Sequence, residues 1–445
     1  MDSNVNKFYH EILEKEIESN KDLYEKFLPS LFEQKVGYGG RPLCKHLRPQ
    51  FVTEEDYEKI KTASKIISDC LVKMTDTLLN SQELQAVLGI TELEKIALEP
   101  DPGYSPIGVT TRFDSFLTAD SFKFVEFNVE VPAGIAYTDV MTENFLKLPA
   151  LQKFVEKYDL TYFSFRQRML DELLRAYRQK FTKEVPNIAI IDWDGVSTYF
   201  EFELFQEFCE SKGYPTIIED PRNLEYKDGK LWAGDFEIDI IYKRVVSHEF
   251  LQKFDEVQPM WNAYKDGKVC CVNSFRTKLF HKKAIFVLLT DPSYDFGFSD
   301  EEIEVLHRHL PWTRKVVEGK STYEGKEIDL CKFILENRNK LVLKPNDDYG
   351  GRGIYLGWED ENWEKHLEDA LKNGDYLIQE RVEIPRERFP TLVDGEIKYD
   401  NMVVDLDPYI FCGDVVGFLT RLSGSSLANV TSGGGSVPSF IISEK

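Results

Sequence analysis

Apolar positions along the chain change their period several times, and each change marks a different kind of element. Residues 1–50 read as an amphipathic helix followed by a loop punctuated by Gly37, Gly39, Gly40 and Pro42 that ends near Pro49. A new helix then starts. Thr53 with Asp56 resembles a capping box, and Ile60, Ala63, Ile67, Cys70, Met74 and Leu78 recur every three or four residues as one buried face. The period shortens at residues 109–116 and 122–129, which predict the two strands of a hairpin around a polar turn at 118–121. From residue 187 the order is strand (188–191), helix (199–212), Gly213, strand (216–219), a hairpin through Asp228-Gly229 and an apolar strand (238–242), as in a small open α/β unit. Beyond residue 273 the pattern predicts a helix after Ser274, a strand at 340–344, a glycine loop, a helix at 362–373 and a strand at 376–382. Strands at 402–411, 415–422 and 426–430 follow.

A chain of 445 residues that is 42% apolar and 13% aromatic can bury a large core and divide into two or three compact units. Its 55 Lys and Arg against 77 Asp and Glu leave a formal charge of −22, which gives no overall electrostatic reason to approach nucleic acid or an anionic membrane. An anionic ligand must therefore be held by a local cluster of Lys, Arg and backbone N–H groups. The first residues lack a basic start followed by an apolar run, and no stretch reaches the length of a membrane span, so a cytoplasmic protein is expected. Seven scattered cysteines, among them Cys270 and Cys271, lack metal-type spacing and read as reduced packing thiols.

Three stretches carry candidate chemistry. In the first, a strand ending at Lys344 runs into a polar loop with Gly350, Gly351, Arg352 and Gly353. Backbone N–H groups of such a loop can approach phosphates unobstructed, with Lys344 as a point charge and Arg352 as a fork of donors; a plain surface hairpin is the alternative. In the second, Asp114 and Glu126 on adjacent hairpin strands can face one side, and strand alternation puts Asn128 beside Glu126. Three oxygen ligands on one face suit magnesium, although a solvated polar face would show the same pattern. In the third, Arg421 lies in an apolar strand near Asp405, Asp407, Asn429 and the glycines 433–435. It suits stabilisation of a phosphoryl group or an oxyanion, or equally a structural pair with Asp405.

Taken together these stretches resemble a family. Lys344 with its glycine loop, then Gln379-Glu380-Arg381-Val382, Asp405, Arg421, Asn429 and the glycines run in the order of ATP-grasp ligases. The Arg-x-Asp and Glu-x-Asn blocks, expected downstream, stand upstream as Arg112-Phe113-Asp114 and Glu126 to Pro132. The chain is thus similar to circularly permuted ATP-grasp proteins, a group that includes glutathionylspermidine synthase-like and uncharacterised amide-forming enzymes. An α/β (α+β) fold follows, with residues 1–50 as N-terminal helix and loop, 51–160 as the permuted piece carrying metal ligands, 161–272 as an α/β domain and 273–445 as nucleotide-binding lobes.

The resemblance implies ATP and Mg2+ as cofactors. It places Lys283, with Lys278 and Lys282 as rivals, at the first nucleotide lysine and Lys344 at the second, Gly351 to Gly353 in the lid, and Gln379, Glu380 and Val382 in the hinge that addresses adenine or ribose. Asp114, Glu126 and Asn128 match metal ligands, while Arg112 and Arg421 match positions facing the transferred phosphoryl group. The implied activity is carboxylate–amine ligation through an acyl phosphate, on small-molecule or peptide substrates; an ATP-dependent phosphotransferase or a non-catalytic ATP-binding module are the rivals. Asp407 departs from the family, where many relatives carry Arg. His307 with His309, and Cys44 with His46, are weak metal candidates, and Arg41, Lys45 and Arg48 form a basic cluster that reads mainly as a solvated loop. Permutation further requires residue 445 to lie near the start of the 53–112 segment.

Overall fold

The computed structural model describes residues 4–348, 350–425 and 434–445. Its organising layer is an antiparallel sheet built from pieces far apart in sequence. The long strand Glu396–Phe411 lies at its centre, with Asp414–Ser423 returning along one edge. Arg386–Val393 occupies one half of the opposite edge, and Thr110–Leu117 the other half, followed outward by Phe122–Asn128. The junction is set by Tyr409 opposite Arg112, Ile410 opposite Thr111 and Phe411 opposite Thr110.

The helix Glu54–Asn80 covers this sheet, and Ile60, Ile67 and Met74 share a core with Leu406, Ile410 and Phe418. Its expected apolar face is the one buried. The Thr53 side chain accepts from Asp56 N, but Asp56 receives the Thr53 hydroxyl instead of reaching back to the backbone, so only half of the box forms. Strand Ser439–Glu444 runs parallel to Gln50–Thr53 with Ile442 opposite Thr53. Residue 445 therefore sits beside the start of that helix, as permutation requires.

A four-stranded parallel sheet, in the order Cys270–Val272, Ile240–Lys243, Ile188–Ile191, Thr216–Glu219, forms the α/β unit. Three of these strands are buried throughout, as the apolar runs demand when helices cover both faces. A third, antiparallel sheet contains Thr313–Lys315, Tyr376–Glu380, Leu341–Pro345 and Tyr355–Leu356, and Trp363, Leu367 and Ala370 of the helix Trp363–Asn373 pack in its core.

The differences from expectation are local. The N-terminal helix is two helices, Asn4–Ser19 and Lys21–Glu33, with a break at Asn20 that no glycine or proline announces. Strand Arg386–Val393 escapes the sequence pattern because Pro390 interrupts it. The helix after Ser274 is three short pieces, Phe275–Thr277, Lys278–His281 and Ile285–Thr290. The strand expected at 426–430 lies outside the described residues. Among the described residues no helix is long and apolar enough to cross a membrane.

One buried amide ties the α/β unit to the hairpin. Asn273, directly after the strand Cys270–Val272, accepts from Val109 N (3.0 Å) and Thr110 N (3.1 Å) through Oδ1 and donates to Thr110 O (2.6 Å) and Val129 O (2.9 Å) through Nδ2. Removing such a side chain strands several backbone groups that water cannot reach. Asn273→Ala is expected to cost about 3 kcal/mol or more of unfolding free energy in urea titrations, at the upper end for one polar network. A loss under about 1 kcal/mol would show that the hairpin is held by its strand pairing alone.

Candidate functional site

The hairpin register sets the first group of side chains. Asp114 stands opposite Glu126, and Arg112 opposite Asn128, so all four project from one face. Asn128 Nδ2 donates to Asp114 Oδ1 at 2.8 Å. A register shift after Asp114 leaves Val125 as an extra residue in its strand, and the Val125 carbonyl accepts from Lys344 Nζ at 3.3 Å. The bulge thus couples the hairpin to the lysine strand across the cleft.

Lys344 is next to last in the strand Leu341–Pro345 and is buried; its Nζ donates to Gln379 Oε1 at 2.6 Å. Burial pulls its ammonium down to about 8, and Glu126 opposes that shift. The loop that follows lines the same cleft with Gly350, Gly351 and Arg352. Gly353 has φ +65°, and an added Cβ would come within 2.8 Å of the Tyr376 hydroxyl, so glycine is required there.

The three rival lysines separate clearly. Lys278 and Lys282 both hold Asp347, at 2.7 and 2.8 Å, within a buried network that includes Glu94 and Glu130. Only Lys283 turns toward the site, donating to Asp348 O at 2.7 Å and lying 3.3 Å from Glu126 Oε1. It joins the base of the glycine loop to the hairpin.

Beside them lies a buried charge cluster. Arg112 Nε donates to Asp114 Oδ1 at 2.9 Å, and Arg421 Nη2 donates to Asp114 Oδ2 at 2.6 Å and also to Asp405. Arg421 Nε lies 3.0 Å from Asp407 Oδ2. Arg421 is Asp405's direct neighbour across the strands, so the structural pair anticipated as an alternative does form. Desolvation alone would raise the Asp114 carboxyl; Arg112 and Arg421 overcome it and hold the group well below the usual range. Asp405 and Asp407 are instead pushed up by burial, Asp407 further.

Oxygen ligands of Asp114, Asp405 and Asp407 lie within 4.8 Å of one another, the single such group of metal-ligating residues among those described. Asp405 Oδ1 is buried without a hydrogen-bond partner, and Asp407 Oδ2 has the Arg421 ion pair beside it. Clustered carboxyl oxygens beside Glu126 and Asn128 are a hard-oxygen donor set that fits a divalent cation. His309 instead bonds the Phe122 carbonyl and His46 faces Asp400, so neither weak histidine candidate joins a metal group. Arg48 is fully buried against Asn6 and Glu387 and stacks on Phe389, which removes it from the basic cluster expected with Arg41 and Lys45.

One cleft of about 590 Å³ collects Arg112, Asp114, Glu126, Asn128, Lys344 and Arg421. Gln379, Glu380 and Val382 line the same cleft; Glu380 accepts from the Tyr323 hydroxyl at 2.8 Å, and Gln379 anchors Lys344. Asn429 lies outside the described residues.

The family described as a circularly permuted ATPgrasp matches residues 115–376. The chain belongs to this family. A Frankia alni protein with the provisional name glutamate–cysteine ligase 2-3 is 23% identical over 76% of this chain and 39% of its own length. An uncharacterised Mycobacterium tuberculosis protein is 23% identical over 73% of this chain and 58% of its own. The chain thus spans well under two thirds of the curated relatives it matches. A glutathione synthetase-like effector of Globodera pallida, in its apoform, superposes with TM-score 0.59 at 12% identity, covering 94% of this chain and 97% of that one, and shares the fold.

ATP-grasp ligases use ATP with a divalent metal, and the cleft offers cationic and oxygen-ligand sides for both. Sequence reasoning missed Asp192, Arg244 and Glu249, which line the same ATP-grasp cleft from the α/β unit. Their only sequence signal is position: Asp192 and Arg244 each directly follow an apolar strand.

Asp407 gives a test of the charge cluster. A carboxyl that burial raises in the fold costs folding free energy as pH rises above 3.8, its ordinary value. Asp407→Asn removes that loss while keeping an oxygen for Ser115 N, which donates to Asp407 Oδ1 at 3.0 Å. D407N is expected to gain roughly 1–3 kcal/mol on the parent between about pH 4 and pH 7 in urea titrations. A gap moving the other way would mean that Asp407 is ionised in the fold.

Proposed function

We propose that this ATP-grasp protein binds magnesium-ATP and joins a carboxylate to an amine through an acyl phosphate. The observation that carries this reading is the register bringing Asp114, Glu126 and Asn128 to one face, across the cleft from Lys344 and its glycine loop. A bound Mg2+ would be held by Asp114, Glu126 and Asn128 and would supply charge neutralisation on the phosphates. A carboxylate oxygen attacks the γ-phosphorus, the bond to the ADP oxygen breaks, and an acyl phosphate forms. A neutral amine then attacks the acyl carbon, phosphate leaves, and the amine's proton passes to solvent.

The protein's own part is positioning and charge. Lys344 and Lys283 meet the phosphates, and the N–H groups of Gly350 to Gly353 with Arg352 close over them. Gln379, Glu380 and Val382 address the base or ribose. Arg112 and Arg421 keep Asp114 ionised and face the negative charge developing on the transferred group. The relative's provisional name, a ligase of two amino acids, supports an amide-forming reaction here.

The deciding assay measures ADP and hydroxamate from magnesium-ATP, hydroxylamine and pools of carboxylic acids. Hydroxamate establishes an acyl phosphate; ADP without hydroxamate points to a phosphotransferase, and tight binding without ADP to a non-catalytic module. Glu126→Gln and Asp114→Asn are each expected to lower turnover about 100-fold or more. E126Q should keep the parent's melting temperature because Glu126 lies at the open cleft. Full activity in either variant would sink the metal assignment.

Lys344 adds a pH signature. Its ammonium is charged below about 8, the side on which phosphate binds best. Nucleotide affinity is expected to fall as pH rises above about 8, with proton uptake on binding seen as buffer-dependent calorimetric heat. Lys344→Met should remove both effects, and a pH-independent affinity in the parent would exclude Lys344 as a phosphate ligand.

A further inference from the structure

The ligase reading leaves one side of the cleft without a task. That side is formed by the carboxyl ends of two adjacent parallel strands, Ile188–Ile191 running into Asp192 and Ile240–Lys243 running into Arg244. Ile191 lies opposite Lys243, so Asp192 and Arg244 leave the sheet side by side. Open α/β sheets take ligands in the crevice at such strand ends.

Arg244 is 4% exposed, and its Nη1 donates to Pro132 O at 2.7 Å and to the Tyr242 hydroxyl at 3.3 Å. Its Nε is buried with no hydrogen-bond partner, and the carboxylates that act on it through space, Glu201 and Asp192, form no ion pair with the guanidinium. A guanidinium withdrawn from water whose direct hydrogen-bond partners are neutral oxygens gains from a ligand that brings an anion into contact. Asp192 faces the same space without pairing with it: its Oδ1 accepts from Trp193 N at 2.8 Å. Burial pushes the Asp192 carboxyl up to about 6, with Arg244 opposing. Glu249 stands beside them, accepting from Trp193 Nε1 at 3.0 Å. Asp192 and Arg244, opposite charges that share a crevice without forming an ion pair, match a zwitterion, one end for each.

We propose that Arg244 binds the α-carboxylate and Asp192 with Glu249 the α-ammonium of an amino acid, and that the carboxyl this enzyme activates belongs to that amino acid's side chain. The proposal rests on the ligase reading for its second half. An α-carboxylate held by Arg244 and an ammonium kept protonated by Asp192 are not the reacting groups. The reacting carboxylate must extend from them toward Asp114 and Lys344, which line the same cleft. The substrate class is a dicarboxylic α-amino acid. Its side-chain oxygen takes the γ-phosphoryl group as ADP leaves, and its α-groups are unchanged.

The test compares L-glutamate and L-aspartate with their N-acetyl and α-amide derivatives and with glutarate, each as sole acid in the hydroxylamine assay. Hydroxamate from one of the two amino acids is expected, with kcat/KM lower by about 30-fold or more for its blocked forms and for glutarate. Arg244→Lys and Asp192→Asn should each raise KM for the amino acid about 30-fold or more with nucleotide affinity retained. Half-buried Asp192 carries the test should R244K fail to fold. Equal hydroxamate from glutarate or the N-acetyl form, or an unchanged KM in D192N, overturns the subsite while the ligase reading stands. Absence of hydroxamate with every acid removes the ligase reading instead. Calorimetric titration of L-glutamate and L-aspartate with a non-hydrolysable ATP analogue then decides the subsite: binding lost in D192N supports it, and no binding overturns it.

Discussion

The pairing of Thr110–Leu117 with the far end of Glu396–Phe411 is the constraint on which the site depends. About three hundred residues separate Arg112 from Tyr409, and closing so long a loop costs only slightly more entropy than closing one half its length. The sheet repays it through a continuous ladder. Once Arg112 is opposite Tyr409, the bulged hairpin fixes Asp114 against Glu126, and the return strand fixes Arg421 against Asp405. A one-residue slip at this junction would turn Arg112 and Asp114 to the other face, so register and chemistry are one requirement.

That geometry forces a charge problem that the protein leaves partly open. Two guanidinium groups, Arg112 and Arg421, face three carboxyl groups, Asp114, Asp405 and Asp407, all out of water. An uncompensated buried charge costs several kcal/mol, so the cluster relaxes by sharing: Asp114 takes both arginines, and burial raises the other two acids. Here Asp407, the departure from the expected Arg, gains a physical meaning. It supplies a backbone cap for Ser115 N and a carboxyl 3.0 Å from Arg421 Nε, where a further cation would have repelled that arginine.

Much of this was legible in the sequence because it is local. Strand alternation sufficed to place Asp114, Glu126 and Asn128 together, and the apolar period of Ile60 to Leu78 sufficed for the helix over the sheet. The order of blocks pointed to permutation, which family membership bears out and the Ser439–Glu444 pairing with Gln50–Thr53 makes physical. Illegible were features set by tertiary contact. Nothing in three nearby lysines says that Asp347 will claim Lys278 and Lys282, and nothing in Arg48 says that it will sit on Phe389. Val125's bulge, Asn273's amide and the company of Asp192 and Arg244 likewise exist only after the pieces pack.

The same packing explains how a chain of charge −22 can receive a polyanion. Exposed charges more than about 10 Å apart are largely screened at ordinary salt, so the surface excess of acid is a weak opponent. Inside the cleft the sources of positive potential are few and close: Lys344, Lys283, Arg112, Arg421 and Arg244 all lie on or beside one cavity of about 590 Å³. Low dielectric there magnifies each of them. Under the proposed reading the acidic residues between them are a condition and not a contradiction, since carboxylates that held a divalent cation would let a site of mixed charge accept phosphate together with its metal. Arg244 is the exception that completes the pattern: it stands outside that balanced cluster, and no acid among the described residues forms an ion pair with it, which is the room the proposed subsite gives to an incoming anion.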